Sequence, residues 1–146
     1  VDITNGITSI PLGTFSDCSA LTTIKIPDSV VSIRNEAFCD CMSLTEVVLP
    51  KNLCEIEEMA FSGCHQLKTI KIPNSVTRID REAFWLCQEL ANVSLPQNPE
   101  LNIAPRAFCG CPSLFQVQTP SLMSQQQQVA IIYQINEDNH PSFQHV

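Results

Sequence analysis

Eight cysteines are the residues of this 146-residue chain with the most evident capacity for chemistry. Two pairs, Cys39 with Cys41 and Cys109 with Cys111, have a Cys-x-Cys spacing that could hold zinc through thiolates. Zinc needs four ligands converging to about 2.3 Å from one ion, so the two pairs would have to meet. His65, His140 and His145 share no ligand spacing with them or with the odd thiol, Cys54. Other chemistry is thin. The four glycines form no phosphate-cradling loop, and Ser, His and Asp are scattered without a nucleophile, base and orienting residue in one pattern. Trp85 and Tyr133 read as packing or surface aromatics. The sequence assigns no catalytic residue, no metal ligand and no cofactor.

What the cysteines can do depends on the elements that hold them, and those follow from a repeat. Phe15, Phe38, Phe61, Phe84 and Phe108 are 23, 23, 23 and 24 residues apart. Three residues after each stands Cys18, Cys41, Cys64, Cys87 or Cys111, and six after each a leucine, Leu21 through Leu114. Nine after come Ile24, Val47, Ile70, Val93 and Val117; eleven after come Ile26, Leu49, Ile72 and Leu95, with Thr119 the first departure. Pro27, Pro50, Pro73, Pro96 and Pro120 close the blocks, and the extra residue of the fourth interval falls in Gln97-Asn98-Pro99-Glu100, a loop composition. A unit of this size cannot bury its own apolar face, whereas stacked copies bury it continuously.

Each block reads Leu-x-x-Ile-x-Ile-Pro, a turn, Val-x-x-Ile, then Ala-Phe-x-x-Cys. Alternation in the first stretch predicts a strand that proline ends, because proline has no N–H for the ladder. Val30, Ser32, Ile33 and their equivalents predict a second short strand, and Glu36-Ala37-Phe38 a short helical or 3₁₀ corner that drives the phenylalanine inward. In-register stacking sets the five column thiols roughly 4.8 Å apart, where they serve as small buried hydrophobes. Their spacing permits a disulfide by distance, but parallel Cβ directions make one awkward and five cannot all pair. The two Cys-x-Cys pairs lie three repeats apart, roughly 14 Å, which excludes zinc shared between them.

With Leu21-Thr22-Thr23-Ile24-Lys25-Ile26-Pro27 and Glu36-Ala37-Phe38 through Cys41 as its characteristic stretches, the pattern resembles the BspA-like (Treponema-type) leucine-rich repeats. The resemblance covers about residues 1–120 in five copies. It implies an α/β fold: a right-handed, horseshoe-like leucine-rich-repeat solenoid with parallel sheets and short helical or 3₁₀ corners. It also implies an interaction role, since members include surface proteins of bacteria and protozoa that adhere to host or matrix proteins.

Composition bounds the rest. Apolar content of 44% with 16% charged residues suits one folded domain. A net charge of −7 disfavours nucleic acid, and no apolar run nears the ~20 residues needed to span a bilayer. Val1 and Ile3 align with Ile24 and Ile26, so the array is expected to begin inside a repeat, with more repeats before it. Residues 121–146 leave the pattern and read as a C-terminal cap helix, with Ser121 as N-cap, and a tail; a polar linker followed by a strand, or the opening of a different domain, are the alternatives. The chain reads as a monomer. Family resemblance places it at a cell surface, while unpaired thiols suit a reducing cytosol, so localisation stays open.

Two outward faces remain. On the second strand, Arg34 falls beside Glu57 and Glu55 beside Arg78, a self-neutralising ladder of solvated pairs worth about 0.2–1 kcal/mol each. On the first strand the outward columns read Thr23, Glu46, Thr69, Asn92, Gln116 and Lys25, Val48, Lys71, Ser94, Gln118, flanked by Lys68 and Phe115. Packing demands nothing of these varied positions, so they are the candidate surface for a protein partner. A structural spacer between other domains is the rival reading.

Overall fold

The structure, a computed structural model, describes residues 3–119 and 124–139. The chain winds as a parallel-strand solenoid of about five turns. One side carries β1 (Ser9–Ile10), β3 (Ser32–Ile33), β5 (Glu55–Ile56), β7 (Arg78–Ile79) and β9 (Asn102–Ile103), paired in that order. The other carries β2 (Thr23–Lys25), β4 (Glu46–Val48), β6 (Thr69–Lys71), β8 (Asn92–Ser94) and β10 (Gln116–Gln118). This front side is divided: β2 pairs with β4, and β8 pairs on one side with β6 and on the other with β10. Strands β4 and β6 lie against each other without a bridging pair.

Register follows the repeat. Ile33 pairs with Ile56 and Ile56 with Ile79, each a step of 23 residues. Across the insertion at residues 97–100 the step is 24, and Ile79 still meets Ile103. The loop absorbs the extra residue through Asn98, whose Nδ2 donates to the Asn74 and Val76 carbonyls and whose Oδ1 accepts from the Glu100 amide.

Between the faces runs one apolar column per repeat position. Phe38, Phe61, Phe84 and Phe108 are fully buried. Successive rings from Phe15 to Phe108 stack with centroids 5.1, 5.1, 5.4 and 5.1 Å apart and interplanar angles of 10° or less. That separation slightly exceeds the strand spacing and lies within the range of favourable offset stacking. The ring therefore fits the rise of the solenoid without forcing the turns apart.

The corners keep the i→i+3 hydrogen bonds of a 3₁₀ turn, such as Ala37 N to Arg34 O and Cys39 N to Glu36 O, but do not run on as a helix. Residues two before and two after each phenylalanine have positive φ: Gly13, Glu36, Met59, Glu82 and Arg106, then Asp17, Asp40, Gly63, Leu86 and Gly110. These reversals turn alternate amides along the stack, where Glu36 N, Phe38 N and Asp40 N donate to Glu58, Ala60 and Ser62. Each corner is thus a third interturn ladder. At Gly63, whose φ of 74° strains other residues, an added Cβ would also displace the Asp40 carboxylate of the turn below.

The last turn meets α1 (Gln125–Asp138). Ile135 is buried in the common core and Ile131 packs against it. Gln134 Nε2 donates to the Ile103 carbonyl at 3.0 Å, and the Cys111 amide to Asn139 Oδ1 at 2.7 Å. The expected N-cap, Ser121, lies outside the described residues, as do Val1, Pro120, His140 and His145; the residue directly before the helix is Ser124.

A column enclosed from both sides should be costlier to break at its middle than at its end. We expect Phe61→Ala to lose about 3–5 kcal/mol of stability, and the half-buried Phe15→Ala distinctly less. Equal losses in urea denaturation would contradict the stacked column.

Candidate recognition face

The front side takes its shape from the alternation of each three-residue strand. In β2, β4 and β6 the middle residue is buried and its two neighbours are exposed. The ten candidate residues therefore stand outward in two columns, with registers Thr23–Glu46, Lys25–Val48, Thr69–Asn92–Gln116 and Lys71–Ser94–Gln118. Val48 is 44% exposed in β4, and Phe115, directly before β10, is 79% exposed. Over β6, β8 and β10 the face dips into a shallow open depression of about 360 Å³, with Ile70 and Val93 beneath and Thr69, Lys71, Asn92, Ser94, Gln116 and Gln118 around it. Its rim is almost wholly made of side chains that can donate or accept hydrogen bonds. A larger cleft of about 540 Å³ opens beside Phe15, Cys18 and Leu21, where the core columns reach the first turn.

The back side has a different character. Arg34 pairs with Glu57 at 3.4 Å and Arg78 with Glu55 at 2.7 Å, both as the column spacing predicts. Sequence reasoning missed the extensions of this network. Arg78 also reaches Asp80 at 3.0 Å, the buried Ser32 hydroxyl donates to Glu55, and the Asn35 amide donates to Glu57. Burial raises the Asp80 carboxyl above its ordinary range, with the Arg78 guanidinium opposing the rise.

The cysteine columns hold thiols with a structural task. Cys41, Cys64, Cys87 and Cys111 are buried, and each Sγ–H donates to the carbonyl of the phenylalanine one turn earlier: Phe15, Phe38, Phe61 and Phe84, at 3.1–3.2 Å. A thiol is small enough for the column and gives that carbonyl a second donor, beside the amide three residues further on, which alanine cannot. Cys18, at the first turn, is half-buried, and Cys54 is exposed. Among the described residues no three His, Cys, Asp or Glu side chains are placed to hold a metal ion. Burial, reinforced by the Asp40 and Glu36 carboxylates, pushes the Cys39 thiol up to about 11. Burial chiefly, with the Cys18 thiol adding, pushes Cys41 up to about 11; burial also raises Cys64 and Cys87 strongly.

Short parallel strands on both sides, a leucine and phenylalanine interior and one turn per repeat define a leucine-rich-repeat solenoid. The model of the BspA type leucine rich repeat region matches residues 4–136 in six copies, and the chain belongs to that family. A leucine rich cell surface protein from Faecalibacterium prausnitzii is 35% identical with a TM-score of 0.80, over 88% of this chain and 33% of that one. A leucine-rich repeat protein from Bacteroides ovatus is 31% identical with a TM-score of 0.72, over 84% of this chain and 33% of that one. The Treponema pallidum leucine rich repeat protein, 23% identical with a TM-score of 0.66 over 89% of this chain and 78% of that one, shares the fold. No curated protein matches. The chain spans about a third of the length of the first two structures. Such repeats are generally non-catalytic and generally serve protein interaction or scaffolding. No helix among the described residues is long and apolar enough to cross a membrane.

Raised thiol pKa values link stability to pH. The folded chain keeps Cys39 and Cys41 protonated between pH 9 and about 11, whereas the unfolded chain releases those protons from about 9. Stability is therefore full below pH 9 and falls as pH rises through that window, by up to about 1.4 kcal/mol per pH unit per thiol. Urea midpoints at pH 7, 9 and 10.5 should show this fall, and Cys41→Ser should lessen it by donating to the same carbonyl without titrating. An unchanged midpoint up to pH 10.5 would contradict buried, protonated thiols.

Proposed function

We propose that this chain is a protein-binding module, not an enzyme, and that its partner docks on the outward columns of β2, β4, β6, β8 and β10. The observation that carries the reading is the contrast between the two sides. The back side satisfies its own charges between neighbouring turns, so nothing there requires a partner. The front side presents exposed Val48 and Phe115 among polar side chains that packing leaves free. Adhesion at a cell surface is the form this binding takes in our reading. The spacer alternative predicts no partner on either side.

Within this reading residues 1–120 are the solenoid and 121–146 a cap helix and tail. Burial of Ile135 in the core and the bonds from Gln134 and to Asn139 support the cap. Deleting residues 121–146 should expose the final turn, lower the melting temperature and promote association. A truncated chain that stays monomeric and as stable as the parent would make the segment a linker.

The face itself is tested by capture of partners from the source organism's extract and from matrix proteins. Lys25→Glu, Thr69→Glu and Lys71→Glu combined should abolish capture while circular dichroism stays unchanged. Arg34→Gln, which removes a half-exposed back-side ion pair and touches none of the front columns, should leave capture intact. If the triple variant captures every partner the parent does, the spacer reading prevails.

A further inference from the structure

The chain has eight basic and fifteen acidic residues, so every cation could in principle find a carboxylate. Five do. Arg34, Arg78, Arg81 and Arg106 are ion-paired on the back side and corners, and Lys51 pairs with Asp28 in the turn after the front strand. Among the described residues the three cations outside these pairs are Lys25, Lys68 and Lys71. All three stand exposed on the front side. Lys25 and Lys71 flank the exposed Val48 in one column, with Lys25 registered directly on Val48.

We propose, resting on the reading of the front side as the docking face, that its occupant is an acidic segment of a partner protein lying extended along the solenoid axis. Two turns of the stack separate Lys25 from Lys71 by roughly 10 Å, a little more than two hydrogen-bonded strand spacings because β4 and β6 share no bridging pair. An extended polyproline II segment advances about 3.1 Å per residue with three residues per turn, so residues i and i+3 share one side about 9.3 Å apart. Carboxylates at i and i+3 therefore reach Lys25 and Lys71 together from one side of the segment, and the stretch of backbone between them passes over Val48. Lys68, three residues before Lys71 on the same turn, broadens the positive end. The excess of acid on the rest of the molecule disfavours the same segment elsewhere.

The test is a titration of the isotope-labelled full chain with capped peptides, followed by amide chemical shifts. The probes are a Glu-Pro-Leu-Glu peptide, its Lys-Pro-Leu-Lys counterpart, and a peptide with the two glutamates adjacent. The Glu-Pro-Leu-Glu peptide should shift amides in β2, β4 and β6, not in β3, β5 and β7. Its affinity should fall about tenfold in the Lys25→Gln/Lys71→Gln variant, which keeps side-chain length, and fall as salt rises. The lysine peptide should give no front-side shifts, and the adjacent-glutamate peptide should bind more weakly. Shifts spread over the back side, equal binding of the lysine peptide, or unchanged affinity in the glutamine variant would overturn the proposal. A neutral bulky variant, Thr69→Trp/Asn92→Trp, separates the two ideas. If it abolishes partner capture while the acidic peptide fails to bind the parent, this inference falls and the front-side reading stands. If it also leaves capture intact, that reading falls as well.

Discussion

The rise from one turn to the next, set by the spacing of hydrogen-bonded parallel strands, is the constraint on which this structure depends. Every buried residue must tolerate a near-copy of itself about 4.8 Å above and below. Phenylalanine meets this with rings 5.1–5.4 Å apart and almost parallel. Cysteine meets it by filling a narrow column while its S–H reaches the phenylalanine carbonyl of the preceding turn. The corner amides meet it by turning alternately into their own turn and the next. Once these ladders are closed in common register, a shift of one turn against its neighbour would break all of them together, which is why an inserted residue is confined to the loop at 97–100.

That constraint also explains what could be read from the sequence. Burial repeats in kind, so adding 23 to a core residue finds its neighbour, as Ile33, Ile56 and Ile79 show. The same addition found the Arg34–Glu57 and Glu55–Arg78 contacts and the outward placement of the ten front residues. The corners were less legible, because their requirement falls on backbone conformation and not on side-chain type. Glu36, Met59, Glu82, Leu86 and Arg106 adopt positive φ without the glycine that usually signals it. Strain of this kind persists only where surrounding bonds over-determine the turn, and here three ladders do so.

A second hidden column is polar. Ser75 Oγ donates to the Lys51 carbonyl, Asn52 Nδ2 to that of Asp28 and Asn98 Nδ2 to that of Asn74, while Ser29 Oγ accepts from the Gly6 amide. Serine and asparagine in a turn after proline look like ordinary loop residues, and only the vertical neighbour reveals their task. The identity of a partner is hidden for a deeper reason. Stacking prescribes the inner columns and leaves the outer ones unconstrained, so the positions with most information about binding are those on which the repeat says least.

Charge placement carries that asymmetry further. In a solenoid, residues 23 apart are neighbours, so an acid and a base in adjacent copies of one outward column pair at little entropic cost. The back side uses this route repeatedly, and Arg78 uses it while also bonding Asp80 within its own turn. With fifteen acids and eight bases, keeping lysines outside such pairs requires that acids be held away from them. The front columns do this with Thr23, Thr69 and Val48 around Lys25 and Lys71, and admit Glu46 in the neighbouring column. An unpaired surface lysine costs the fold almost nothing, since an exposed ion pair contributes so little. The segregation is therefore not a demand of stability. It is a property of the face alone, and its physical consequence is a local positive potential on an otherwise acidic molecule, available to a carboxylate that arrives from outside.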